Sequence, residues 1–159
     1  MLAFKLLLIL IAANGIPAIL HRCMGTTLSQ PIDGGRLLGD GYPLFGHSKT
    51  WRGLFTGIVG AAIIATLLGF TPLFGLGFGA AALLGDLLSS FIKRRLRRPS
   101  SSKFLGLDQI PEALLPLVTG AIFLDYGVTT IAVVTLLFFL LNILTSRLLY
   151  QWGIRQHPH

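Results

Sequence analysis

Pro72-Leu-Phe-Gly-Leu-Gly-Phe-Gly-Ala-Ala-Ala-Leu-Leu-Gly-Asp-Leu-Leu-Ser-Ser-Phe-Ile92 runs for 21 residues with one charge, Asp86, and then meets Lys93-Arg94-Arg95. A bilayer hydrocarbon core about 30 Å thick takes roughly 20 apolar residues of helix. The stretch therefore reads as a membrane span ending at a basic boundary. Working outward, Leu2–Leu20, Leu54–Phe70, Ile110–Leu124 and Val128–Leu148 have the same character. The expectation is an all-α integral membrane protein with five transmembrane helices in one domain, 1–159. The turns at 69–72 and 125–127 are short, as between antiparallel neighbours.

Composition agrees. The 159 residues are 53% hydrophobic and 12% charged, where soluble domains carry about a quarter charged, and mean hydropathy is +0.75. Leu2–Leu20 is followed by His21-Arg22-Cys23-Met24 and no small-residue cleavage pattern, so it reads as a retained span. Cys23, without a second cysteine, cannot form an intrachain disulfide and reads as inert.

Lys and Arg set orientation. With the N-terminus outside, the loops at about 21–53 and 93–109 and the C-terminal tail are cytoplasmic. They hold Arg22, Arg36, Lys49, Arg52, Lys93, Arg94, Arg95, Arg97, Arg98, Lys103, Arg147 and Arg155, leaving only Lys5 outside. The net charge of +7 points to lipid headgroups or an anionic substrate. A mostly embedded chain offers little surface to nucleic acid.

Both inner loops are candidate site material. The first, Pro31–Gly53, is glycine-rich and carries Asp33, Asp40, His47, Ser48, Lys49, Thr50 and Arg52. Glycines let backbone approach a phosphate, but the P-loop spacing is absent; an irregular topology-setting loop reads equally well. In the second, Asp86, Ser90 and Lys93 fall at i, i+4 and i+7 on one helical face. Asp86 lies about 10 Å deeper than Lys93, and a carboxylate at that depth is a functional-site hypothesis by default; an ion pair that fixes helix packing is the alternative. Lys93–Arg98 suits a headgroup patch. Asp108 and Glu112 are either first-turn acids favoured by the helix dipole or metal ligands. Asp125 reads as a solvated turn residue, Trp51, Tyr150 and Trp152 as interfacial aromatics, and His21, His157 and His159 show no ligand spacing. Acids beside cations and hydroxyls at an inner membrane surface suit phosphoryl or nucleotidyl transfer, in which carboxylates hold Mg²⁺ and cations neutralise phosphates. A small transporter and a non-catalytic binder of anionic lipid are the alternatives.

Gly39-Asp40-Gly41, His47-Ser48-Lys49-Thr50-Trp51-Arg52-Gly53, Gly85-Asp86-Leu87 through Ser90, Ile92-Lys93-Arg94-Arg95 and Leu107-Asp108-Gln109 together resemble CDP-archaeol synthase, within the wider family of phosphatidate cytidylyltransferases. The resemblance runs over about residues 30–115. It implies a membrane enzyme that joins CTP and a lipid phosphate, archaetidic acid-like or phosphatidic acid, into CDP-lipid and pyrophosphate. It implies Mg²⁺, with K⁺ also used by larger relatives. Carried over by motif, Asp86, Ser90 and Lys93 would be catalytic, and Asp86, Asp108 and Glu112 the metal-site acids. Ser48, Lys49, Thr50, Arg52, Asp40 and Arg94 would meet the substrates. The chain departs from the pattern at Arg97-Arg98-Pro99-Ser100, where larger relatives carry Lys-Asp, and at Pro111, where the archaeal type usually has an acid; Glu112 beside it is the candidate replacement. Gly75, Gly77 and Gly79 would permit close packing between copies.

Overall fold

The computed structural model describes residues 1–102 and 104–151. Lys103, Trp152, Arg155, His157 and His159 lie outside the described residues, as do the side chains of Arg147 and Tyr150. Five helices follow in order: α1 Leu2–Met24, α2 Trp51–Leu67, α3 Pro72–Arg95, α4 Gln109–Leu124 and α5 Val128–Gln151. Each expected span has its helix. The boundaries move for local reasons. α2 starts three residues early because the Thr50 side chain accepts from the Gly53 N–H and caps it. α3 continues through Lys93–Arg95, whose charges favour a helix C-terminus.

α1, α3 and α5 are long and apolar enough to cross a membrane, whereas α2 and α4, with 17 and 16 residues, are shorter. Both short helices begin at the end of the bundle that carries the two long loops. α1 lies against all four other helices, α3 packs on α2 and α4 as well, and among the described residues α5 touches only α4 and α1. The opposite end is tied by Lys5, whose Nζ donates to the Leu68 carbonyl at 2.7 Å and lies over the Phe70 ring.

The apolar core occupies the half away from the long loops. It contains Leu6, Ile9, Leu10, Ala61, Ala65, Phe78, Leu117, Val134 and Phe138. Gly75 and Gly79, expected to face another copy, instead pack on α2 within the chain: a Cβ at Gly75 would sit 2.6 Å from Ala62 Cα. Gly77 meets nothing within 4 Å.

Candidate active site

The loop between α1 and α2 is folded back on itself. Ile32 N–H donates to Lys49 O at 2.8 Å and Trp51 N–H to Gln30 O at 3.1 Å, pairing Pro31 with Thr50. Buried Asp33 holds the tip: its carboxylate accepts from Gly35, Phe45 and Gly46 N–H at 3.0, 2.9 and 2.8 Å. Burial works to raise the Asp33 pKa, but these donors outweigh it, and the group stays below the ordinary carboxylate range. The consequence is that Lys49, just past this knot, is aimed into the bundle.

There Lys49 Nζ lies 2.6 and 2.5 Å from the two carboxylate oxygens of Asp86 on α3. Glu112 of α4, buried, lies against Asp86. Gly85 makes this meeting geometrically available, since a Cβ there would be 2.2 Å from Pro111 O and 2.8 Å from Glu112 Cα. Along the same α3–α4 seam, Lys93 Nζ pairs with Asp108 at 2.6 Å and donates to Ser102 O at 2.9 Å. The face read from the i, i+4, i+7 spacing therefore carries two ion pairs, with Ser90 buried between Asp86 and Lys93. Asp108 also accepts from Phe104 N–H, so its carboxylate is turned toward Lys93. Among the described residues no three His, Cys, Asp or Glu side chains gather as a metal cluster.

Other expected site residues are placed differently from one another. Thr50 caps α2. Arg52 lies on the cavity but spends its guanidinium on Thr27 O and on Gly25 O at 3.0 Å, with His21 Nδ1 3.0 Å away. Asp40 pairs with Arg95 at 2.6 Å; the Tyr42 N–H, and then Arg95, hold it below the usual carboxylate range. Arg95 lies nine residues beyond Asp86 on α3, about 13 Å along the axis, so Asp40 is a loop staple remote from the acid pair. Ser48 Oγ is 3.4 Å from Ser100 Oγ, joining the two loops. Arg94 is 2% exposed and its Nε has no partner among the described residues, as is true of Ser102 Oγ.

Lys49, Asp86 and Glu112 line a cavity of about 340 Å³ to which all five helices contribute. Leu54, Leu83 and Leu87 make part of it apolar, while Asn14 of α1 and Asn142 of α5 were not found by motif reading. The available signal was a single amide inside each of two apolar runs. The first turns of α2 and α4 open at this end, where the helix dipole favours anions, although the Trp51, Gly53 and Ile110 N–H groups are already bonded within the chain. Cations, paired carboxyls and helix N-termini over an apolar wall can hold a phosphate-bearing amphiphile.

Residues 67–159 match the CarS-like CDP-archaeol synthase family. The chain is 38% identical over 154 residues to the CDP-archaeol synthase of Thermococcus gammatolerans, covering 89% of this chain and 80% of that protein. The CDP-archaeol synthases of Thermococcus onnurineus and Hyperthermus butylicus are 45% and 42% identical over 51% and 63% of this chain, and the chain spans 54% and 60% of their lengths. A solved structure reported as an intramembrane enzyme for archaeal membrane lipid biosynthesis is 28% identical, with a TM-score of 0.76 over 90% of this chain and 91% of that one. With a match over more than half its length and a 38% identical relative covered to four-fifths, this chain belongs to the CarS-like CDP-archaeol synthase family.

Proposed function

We propose that this chain transfers the cytidylyl group of CTP to the phosphate of a membrane lipid, releasing pyrophosphate, at a site on the cytoplasmic side. The observation that carries this reading is the Lys49–Asp86–Glu112 group in a cavity that is charged on one wall and apolar on another. The names of the relatives support the reaction class.

Two carboxyls against each other in a partly dry site call for a cation. Asp86 and Glu112 offer the hard oxygen donors that Mg²⁺ accepts, one or two carboxylates with substrate phosphates completing the sphere. Lys49 supplies the positive charge at Asp86 in this structure. Bound there, Mg²⁺ would draw charge from the phosphate oxygens. Asp108 would act by holding Lys93.

In the reaction an oxygen of the lipid phosphate forms a bond to the α-phosphorus of CTP. The bond from that phosphorus to the α–β bridging oxygen breaks, and pyrophosphate leaves with the electron pair. The chain's part is positioning and charge neutralisation. Lys49 would be handed from Asp86 to a phosphate, while Lys93, Arg94 and the N-termini of α2 and α4 would stabilise charge on the triphosphate. A transport path would instead need polar groups through the full depth, and the outer half is packed by Leu6, Ile9, Phe78 and Leu117. Thr66 bonds back to Ala62 O and Thr71 caps α3.

The test is conversion of labelled CTP by the reconstituted protein against a panel of lipid phosphates. CDP-lipid should form with Mg²⁺ and fall at least about a hundredfold in Asp86→Asn, the scale of losing a group that stabilises transferring phosphoryl charge. Absence of CDP-lipid from every acceptor would overturn the reading.

A further inference from the structure

Two amides on the α1 and α5 side of the cavity have no role in the chemistry above. Asn14 of α1 and Asn142 of α5 both line it. Their depth is set by the helices. Asn14 is 12 residues past Leu2, Asn142 14 past Val128, Asp86 14 past Pro72 and Glu112 12 before Leu124. At 1.5 Å per residue all four lie about 18–21 Å from the end of the bundle that carries the short turns. Charged wall and neutral wall are therefore level.

Each amide interrupts an apolar run: Leu10-Ile-Ala-Ala-Asn14 and Phe138-Phe-Leu-Leu-Asn142-Ile-Leu. Asn14 Nδ2 donates to Leu10 O at 3.2 Å, which leaves its Oδ1 and one N–H without a partner among the described residues. Asn142 has no hydrogen-bond partner among the described residues. A polar side chain at such depth is costly unless something pairs with it.

The chemistry of the partner follows from charge. A carboxamide carries one donor pair and one acceptor and no net charge, so it is a poor match for a phosphate and a good one for uncharged oxygens. The phosphate belongs with Lys49. In a lipid phosphate the uncharged oxygens that join the chains to glycerol lie only a few bonds from phosphorus, which places them level with the amides once the phosphate is at Lys49. The hydrocarbon chains then continue along α5, which among the described residues packs only on α1 and α4. A soluble nucleotide enters instead from the loop end, past Arg52 and Ser48.

We infer that Asn14 and Asn142 grip the glycerol oxygens of the lipid acceptor and set which lipid phosphate is accepted. This rests on the lipid-phosphate reading above.

The experiment uses the full chain in detergent and compares wild type, Asn14→Leu and Asn142→Leu. Native mass spectrometry measures binding of a dialkylglycerol phosphate without CTP. Kinetics follow CDP-lipid formation with that acceptor and with its diacyl counterpart. Binding should weaken about tenfold in each variant, as for loss of one or two hydrogen bonds. The lipid KM should rise to match, with the CTP KM within about twofold and the ether-to-ester preference altered. Leu keeps the branched four-heavy-atom skeleton of Asn and suits an apolar helix, so the melting temperature should hold. If it falls, Asn142→Gln keeps the amide, and its binding near the wild-type level supports the assignment whereas loss equal to that of Asn142→Leu counts against it. Unchanged lipid binding in both Leu variants overturns the inference. A shift in CTP KM or in CTP-over-UTP selectivity with lipid binding intact overturns it too, and gives the amides to the base. Weakened lipid binding in a protein that makes no CDP-lipid would sustain the grip and remove the transfer reaction.

Discussion

Asp33, Asp40, Asp86, Asp108 and Glu112 make up all but one of the acids in the chain, and each is engaged by something different. Asp33 takes three backbone N–H groups, Asp40 pairs with Arg95, Asp108 with Lys93 and Asp86 with Lys49. Glu112 has another carboxyl for a neighbour. Residue type and spacing separate these roles poorly: Asp33 and Asp40 sit in equally glycine-rich surroundings, and what distinguishes them is how the loop turns back twelve residues later. The Asp33 role can be tested. Asp33→Ala leaves three donors of the loop without their acceptor, a loss of about 1–3 kcal/mol in local stability. Hydrogen exchange at Phe45 and Gly46 should speed up accordingly, and unchanged exchange would refute the staple. The pH dependence has a fixed sign. A carboxyl whose folded pKa is lowered stabilises the loop above its unfolded value of about 3.9 and loses that contribution as pH falls through the folded value. Protection at these amides should therefore be flat from neutral pH down to about pH 4 and decline below it.

α3 and α4 meet at Gly85, and the site depends on how closely they do so. The i, i+4, i+7 face of α3 was legible from spacing, because a helix repeats every 3.6 residues. Which residues of α4 oppose it was not, because that register is set by a contact between Gly85 and Pro111 that no local pattern encodes. Likewise Lys93 and Asp108 could each be flagged alone, but their pairing needs the antiparallel seam. Gly85→Ala puts a methyl 2.2 Å from a backbone carbonyl, and backbone has no rotamer to move. α4 must shift outward, taking Glu112 from Asp86. Overpacking of this kind costs about 1–3 kcal/mol, and a displacement near 1 Å at a reacting centre costs on the order of 10²-fold in rate. The variant should lower the melting temperature modestly and CDP-lipid formation far more. A variant with wild-type activity would show that the Asp86–Glu112 meeting is dispensable.

At the scale of the whole molecule, five apolar helices and the placing of the basic loops at one end could be read from the chain, since hydropathy and charge are properties of composition along it. The cavity could not, because its walls come from Asn14, Lys49, Asp86, Glu112 and Asn142, residues united only by the bundle. The fold places the loops 25–50 and 96–108 at one end and the turns 68–71 and 125–127 at the other, which leaves the side each end faces as a separate question. Among the described residues, Arg22, Arg36, Lys49, Arg52 and the basic run Lys93–Arg98 gather at the loop end, with Lys5 at the other, and this favours the cytoplasm for the loop end. Cys23 reports it directly. It is the one cysteine of the sequence and is exposed in the last turn of α1, at the loop end. A membrane-impermeant maleimide added to intact cells should leave Cys23 unmodified, and should modify it once the membrane is opened. In a Cys23→Ser background, Asp125→Cys places a thiol at the exposed turn after α4, at the far end of the bundle, and should be modified in intact cells. Labelling in the reverse order would put the loop end, where the proposed site opens, outside and away from a cytoplasmic nucleotide, and the proposed reaction would fail with the orientation. Labelling of both positions from the same side would contradict the antiparallel passage of α1 through α4, in which Cys23 and residue 125 are separated by α2, α3 and α4, an odd number of crossings.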